Sequence, residues 1–294
     1  MRALLAIIIT FILTDLQSQN LVTKRFFQPL YAFDLISSEN VLKQEASSFS
    51  KEDLQLCQIH LNWWKLISGY SEQKDFLETS NELIETYINQ LESYRTDSVS
   101  NEILLRLLNG YTFRSRVQLL DDNYFSGLKD LRKCILLLEE LNERQYKADE
   151  LKLVNALYNY YHDFAYQNYY LLRPILMGYP DGNMTKGLDS LKELAQQSNW
   201  AVSAESTYFL AKIYLESEED PSESMKYCKI LLKEFPNNII YSIKYAKALK
   251  AAEMETEFLE YCRNQAFDAN NMHGISEVSQ KHFNQLFTKM IEEY

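Results

Sequence analysis

Seven glycines and five prolines in 294 residues limit what this chain can become more than any other feature. Sheets and α/β folds place these residues at hairpins, bulges and strand-to-helix turns, and an average chain carries roughly 12% of the two together. Long helices joined by short polar connections are what such a composition allows. With 46% hydrophobic and 24% charged residues, those helices can bury a core, so disorder is not the default. The few turn residues are bunched. Pro174, Gly178, Pro180, Gly182 and Gly187 predict a loop between about 174 and 186, and loops on rigid scaffolds are where binding residues concentrate.

The formal charge of −11 and the absence of any basic run argue against nucleic acid as a partner, because phosphate binding needs clustered Lys and Arg. The acidic block Glu216 to Asp220 reads as a solvated connection, since no oxygen-ligand loop pattern accompanies it. At the other end, Met1 and Arg2 precede an apolar run from Ala3 to Thr14, followed by Asp15 and polar residues to Asn20. That is the pattern of a secretory signal peptide, with cleavage expected after Ser18 and a periplasmic or secreted mature chain. The run is too short for a membrane span of about 20 residues, and no second candidate follows, so an integral membrane protein is not expected. Cys57, Cys134, Cys228 and Cys262 each fall within apolar helical patterns without a spacing framework, and free core thiols are expected of them.

Lys226-Tyr227-Cys228-Lys229 recurs as Glu260-Tyr261-Cys262-Arg263, offset by 34 residues. Upstream, Leu210-Ala211 with Tyr214 answers to Tyr245-Ala246 with Leu249 at an offset of 35. One extra residue in the inter-helix turn around Glu218 to Pro221 reconciles the two. Ala211 and Ala246 stand where a small side chain lets paired helices approach closely. Asp220-Pro221 offers a capping carboxylate and an initial proline, and Pro236 ends the helix that follows.

On these residues, 204 to 263, the chain resembles the tetratricopeptide repeat family, with Ser224 where the pattern usually carries Ala. The wider layout of signal peptide, helix pairs, a Gly-rich break and closing repeats resembles tetratricopeptide proteins of the bacterial Bacteroidota cell envelope. The resemblance implies an all-α, right-handed α-solenoid of helix pairs with one Gly/Pro-rich interruption. It also implies protein or peptide binding, or a scaffold role, and identifies no catalytic residue. The expected divisions are a signal peptide (1–18), an N-terminal helical-repeat region (19–173), a loop and connecting helix (174–200) and C-terminal repeats (201–294).

The remaining helices are predicted at about 51 to 69 and 71 to 94, as a pair over 101 to 142 turning at Asp121 to Asn123, and from about 149 to 172. Residues 27 to 46 read as a short helix pair capping one end of the solenoid. The 149 to 172 helix carries a core seam of Val154, Leu157, Tyr161, Phe164, Asn168 and Leu171. A second stripe, Tyr158, His162, Tyr166, Tyr169 and Arg173, lies about 100° around it. Rings ending in an arginine could line a groove for a peptide, or for a glycan or other small ligand with Trp200 as a further stacking ring; packing between neighbouring helices is the more ordinary use of such a stripe. An open groove would favour a peptide and a closed pocket a small ligand. His60, His162, His273 and His282 are scattered, and no zinc, nucleophile-elbow, phosphate-loop or dinucleotide signature occurs. The expectation is a binding module without cofactor or metal, not an enzyme.

Overall fold

The computed structural model describes residues 21–95, 99–269 and 272–293; the apolar run 3–14 and the expected cleavage point lie outside them. The described residues are all-helical, with no strand. The helices are α1 (Leu21–Tyr31), α2 (Leu35–Gln44), α3 (Lys51–Ile67), α4 (Lys74–Ser93), α5 (Asn101–Leu120), α6 (Tyr124–Glu143) and α7 (Asp149–Asn168). They continue as α8 (Arg173–Leu176), α9 (Met184–Leu194), α10 (Trp200–Glu216), α11 (Pro221–Glu234), α12 (Ile239–Ala251), α13 (Glu255–Ala269) and α14 (Glu277–Glu292). None is long and apolar enough to cross a membrane.

The starts follow from local chemistry. Ser50, Ser100, Asp220 and Ser276 each accept a backbone N–H three residues on, satisfying donors that a helix leaves unpaired. Glycine closes α3, where Gly69 has a φ of 101°, but most of the left-handed closures use other residues. Phe33, Asp122, Gln145, Glu219 and Glu253 all adopt left-handed backbone. After α12, Glu253 N–H reaches the Lys250 carbonyl and Met254 N–H the Leu249 carbonyl, the double closure that turns a chain sharply out of a helix. The same pair of bonds closes α1, α5 and α6.

Of the described residues, 78–206 form one compact unit and 21–77 with 207–293 a second, the boundaries falling inside α4 and α10. In the first, α5 packs on α6 and α7 on α9. The Ser115 hydroxyl donates to the Gly127 carbonyl across the α5–α6 crossing at 2.8 Å. Gly182 and Gly187 bring the α9 region against the α7 backbone. A β-carbon at Gly182 would stand 2.6 Å from the Asn159 carbonyl oxygen, and one at Gly187 2.7 Å from that of Ala156.

In the second unit, the Ser224 hydroxyl donates to the Ala211 carbonyl at 2.7 Å where α10 crosses α11. The connection between these helices has four residues, 217–220; that between α12 and α13 has three, 252–254. The helix pair α1–α2 packs among C-terminal elements. Phe33 sits edge-on to both Trp64 and Phe283, Tyr31 lies against Phe235, and buried Asn238 donates to the Tyr31 carbonyl at 2.8 Å. Cys57, Cys134, Cys228 and Cys262 are free and buried.

Candidate functional site

Helix α7 packs along α9 but only touches α6. The gap is a cavity of about 300 Å³ lined by Leu108 of α5, by Leu128, Leu131, Arg132, Cys134, Ile135 and Leu138 of α6, and by Val154, Tyr158, Tyr161, His162 and Ala165 of α7. Leu176 and Tyr179, from the segment after α7, complete it. The wall is overwhelmingly aliphatic and aromatic.

The segment beyond α7 is fastened down by α7 itself. The Tyr158 hydroxyl donates to the Pro180 carbonyl at 2.6 Å, and Asp163 accepts the Met184 N–H at 2.9 Å. His162 Nδ1 accepts the Gly182 N–H at 3.1 Å, which assigns the ring proton to Nε2, facing the Leu176 carbonyl at 3.3 Å. His162 therefore staples the segment through both ring nitrogens. Burial, with the charges of Glu139 and Asp181 close by, raises the Tyr158 hydroxyl well above its ordinary pKa, so it stays a donor. Burial likewise pushes the Cys134 thiol up to about 12, far from the thiolate that nucleophilic chemistry requires.

The stripe read from the sequence divides here. Tyr158 and His162 line the cavity. The helix expected to reach 172 ends at Asn168, and Tyr169 departs from helical geometry, so Tyr169 and Arg173 leave the stripe. Arg173 turns back, its Nε donating to the Tyr166 carbonyl at 2.7 Å and its Nη2 to that of Gln167 at 3.3 Å. Its guanidinium lies 5.2 Å from the Tyr166 ring centre. A cation on the last carbonyls of a helix is stabilised by the helix dipole, which explains the early stop. Tyr169 packs edge-on to Phe164. Trp200 opens α10 and does not line the cavity.

Sequence reasoning missed Arg132 and Tyr179, and it did not single out the α6 residues Leu128, Leu131, Ile135 and Leu138 as part of a site. The available signal was an excess of apolar residues on α6: Phe125, Leu128 and Leu136 remain exposed beyond the core stripe. An open polar cleft lies nearby between α7 and α9, lined by Asn155, Asn159, Lys186 and Glu193 among others and without an aromatic ring. Among the described residues no group of three His, Cys, Asp or Glu side chains is placed to hold a metal ion. No family model, curated protein or solved structure matches the chain.

Proposed function

We propose that this chain is an exported helical-repeat binding module whose ligand site is the cavity between α6 and α7, and that its ligand is a small, largely apolar molecule. The cavity is the observation that carries the reading. At about 300 Å³ it reaches the lower end of ligand-pocket sizes and is twice the volume of an apolar cavity that binds benzene. A sugar would bring several hydroxyls to an aliphatic wall and leave them unpaired, at about 1–3 kcal/mol each, so an apolar ligand suits the site better than a glycan.

The helix-pair reading is supported by the hydroxyl-to-carbonyl crossing of Ser224 on Ala211 and by left-handed turns at Glu219 and Glu253, 34 residues apart. On this reading the pairs belong to a right-handed tetratricopeptide-like solenoid. Export is part of the proposal and is checked by sequencing the N-terminus of the mature protein, expected to begin at Gln19.

The cavity is tested with an uncharged naphthylamine dye whose fluorescence rises in apolar surroundings. Wild-type protein should bind it saturably, and Ala165→Phe, which places a ring inside the cavity, should weaken binding at least tenfold while circular dichroism stays native. Equal binding by both proteins, or none by the wild type, would reject the site. A protein or peptide partner is the second reading, favoured by the 90% exposure of Phe125. It predicts that Phe125→Ser loses a partner captured by cross-linking while dye binding persists.

A further inference from the structure

The polar groups of the cavity are unequally occupied. Tyr158 and His162 spend their hydrogen bonds on the 176–182 segment, and the Cys134 thiol lies against Thr112 and the Leu108 carbonyl. Two lining side chains are different. Among the described residues, neither Arg132 nor Tyr179 has a side-chain hydrogen bond or ion pair. Arg132 is solvent-exposed, as is Leu128 one helical turn before it, so the α6 wall opens to solvent at Arg132, and Tyr179 is half-buried.

A guanidinium left without a carboxylate is notable in a chain with 41 acidic and 30 basic residues. Two cations on the same helices are engaged: Arg114 is held by Asp130 through two bonds of 2.7 Å, and Lys133 donates to the Tyr111 hydroxyl. Of the acids near the cavity, Glu139 and Asp181 lie close to Tyr158 and Asp130 close to Cys134. Glu139 stands two helical turns from Arg132 along α6, too far to pair with its guanidinium.

Resting on the reading of the cavity as a ligand site, we infer that it holds the chain of a single-tailed anionic amphiphile, with Arg132 and Tyr179 taking the head group. A planar guanidinium offers paired donors to a carboxylate, and the tyrosine hydroxyl adds a third. The chain length follows from the volume. A methylene fills about the space of one water, roughly 30 Å³, so 300 Å³ accommodates roughly ten carbons. Each methylene the wall buries tightens binding roughly fourfold, until the cavity is full.

The test displaces the naphthylamine dye with straight-chain carboxylates of six to sixteen carbons and with the matching alcohols, all below their micelle concentrations. Affinity should climb with length and level off near ten carbons. Each carboxylate should bind about fivefold tighter than its alcohol, the size of a partly exposed ion pair. Arg132→Gln should abolish that difference while moving alcohol affinity less than twofold, and Tyr179→Phe should reduce it. Acid and alcohol binding equally to the wild type, or Arg132→Gln weakening both alike, would overturn the head-group assignment while leaving the cavity reading intact. Failure of the dye and of every chain would overturn both. A lipid source is separated by sedimentation with phosphatidylglycerol vesicles: binding to vesicles without binding to monomeric carboxylates would overturn the single-tailed ligand.

Discussion

His162 is one ring with two opposite duties, accepting from Gly182 and facing the Leu176 carbonyl. Replacing it by Ala removes both anchors, and each lost buried bond costs about 1 kcal/mol. His162→Ala should therefore loosen residues 176–183 before it unfolds the chain. Limited proteolysis should cut that segment several-fold faster, and dye affinity should fall. Unchanged cleavage would show that Tyr158 and Asp163 hold the segment without it. A second residue-scale device sits in the other unit. Glu216 bridges Lys244, with Lys212 alongside. Burial pushes its carboxyl upward, but the two lysines outweigh burial and hold it below its usual 4.5. A carboxyl depressed in the folded state contributes stability above its unfolded pKa, and that stability is lost as pH falls through the folded value. Glu216→Gln should cost about 1–2 kcal/mol at pH 7, discounted for the partial exposure of the carboxylate. In urea titrations the gap from wild type should narrow as pH drops below 4.5. A gap independent of pH would show that the ion pair is not its source.

Turns are where the elements reveal how a chain with seven glycines makes so many sharp reversals. Among the described residues, five of the six left-handed positions are held by residues with β-carbons, at about 1 kcal/mol or more each relative to ordinary helical backbone. Gln145 is such a position, with φ of 55° and an exposed side chain. Gln145→Gly should stabilise the protein by about 0.5–1 kcal/mol, read as a raised urea midpoint; a lowered midpoint would mean that the side chain compensates locally. The helices between the turns were legible because capping residues and apolar spacing are local signals. The 35-residue offset even located the four-residue connection at 217–220. The end of α7 was not legible. It depends on Arg173 folding back onto carbonyls six and seven residues earlier, and nothing in the periodicity marks that contact. The cavity was half legible for a related reason. Tyr158 and His162 stand out as a stripe on one helix, whereas the apolar residues of α6 have the same period whether they meet a neighbour or border a space.

Long-range pairing is the level that periodicity does not reach. The sequence reading joins residues 27–46 to the helices next to them in the chain, as a cap. The structure also joins them to the C-terminal elements, through the Asn238 side chain and the Tyr31 carbonyl, 207 residues apart, and through Ile36 N–H and the Gly274 carbonyl. Such contacts need specific polar groups to arrive together, and Asn238 looks locally like any helix cap: its oxygen does accept the N–H groups of Ile240 and Tyr241. The repeat pattern alone therefore suggests that residues 200–294 fold by themselves, since stacked helix pairs are stabilised by nearest neighbours. The packing of Tyr31 on Phe235 and of Phe33 on Phe283 argues otherwise. Without residues 21–77 the C-terminal helices expose those rings and leave Asn238 short of an acceptor, a combined loss of several kcal/mol against a typical stability of about 5–15 kcal/mol. A fragment of residues 200–294 should show weak helicity and no cooperative melting, and should gain both when a separate 19–77 fragment is added. Cooperative melting of the 200–294 fragment alone, at the temperature of the full chain, would show that the α1–α2 pair decorates this unit and does not complete its core.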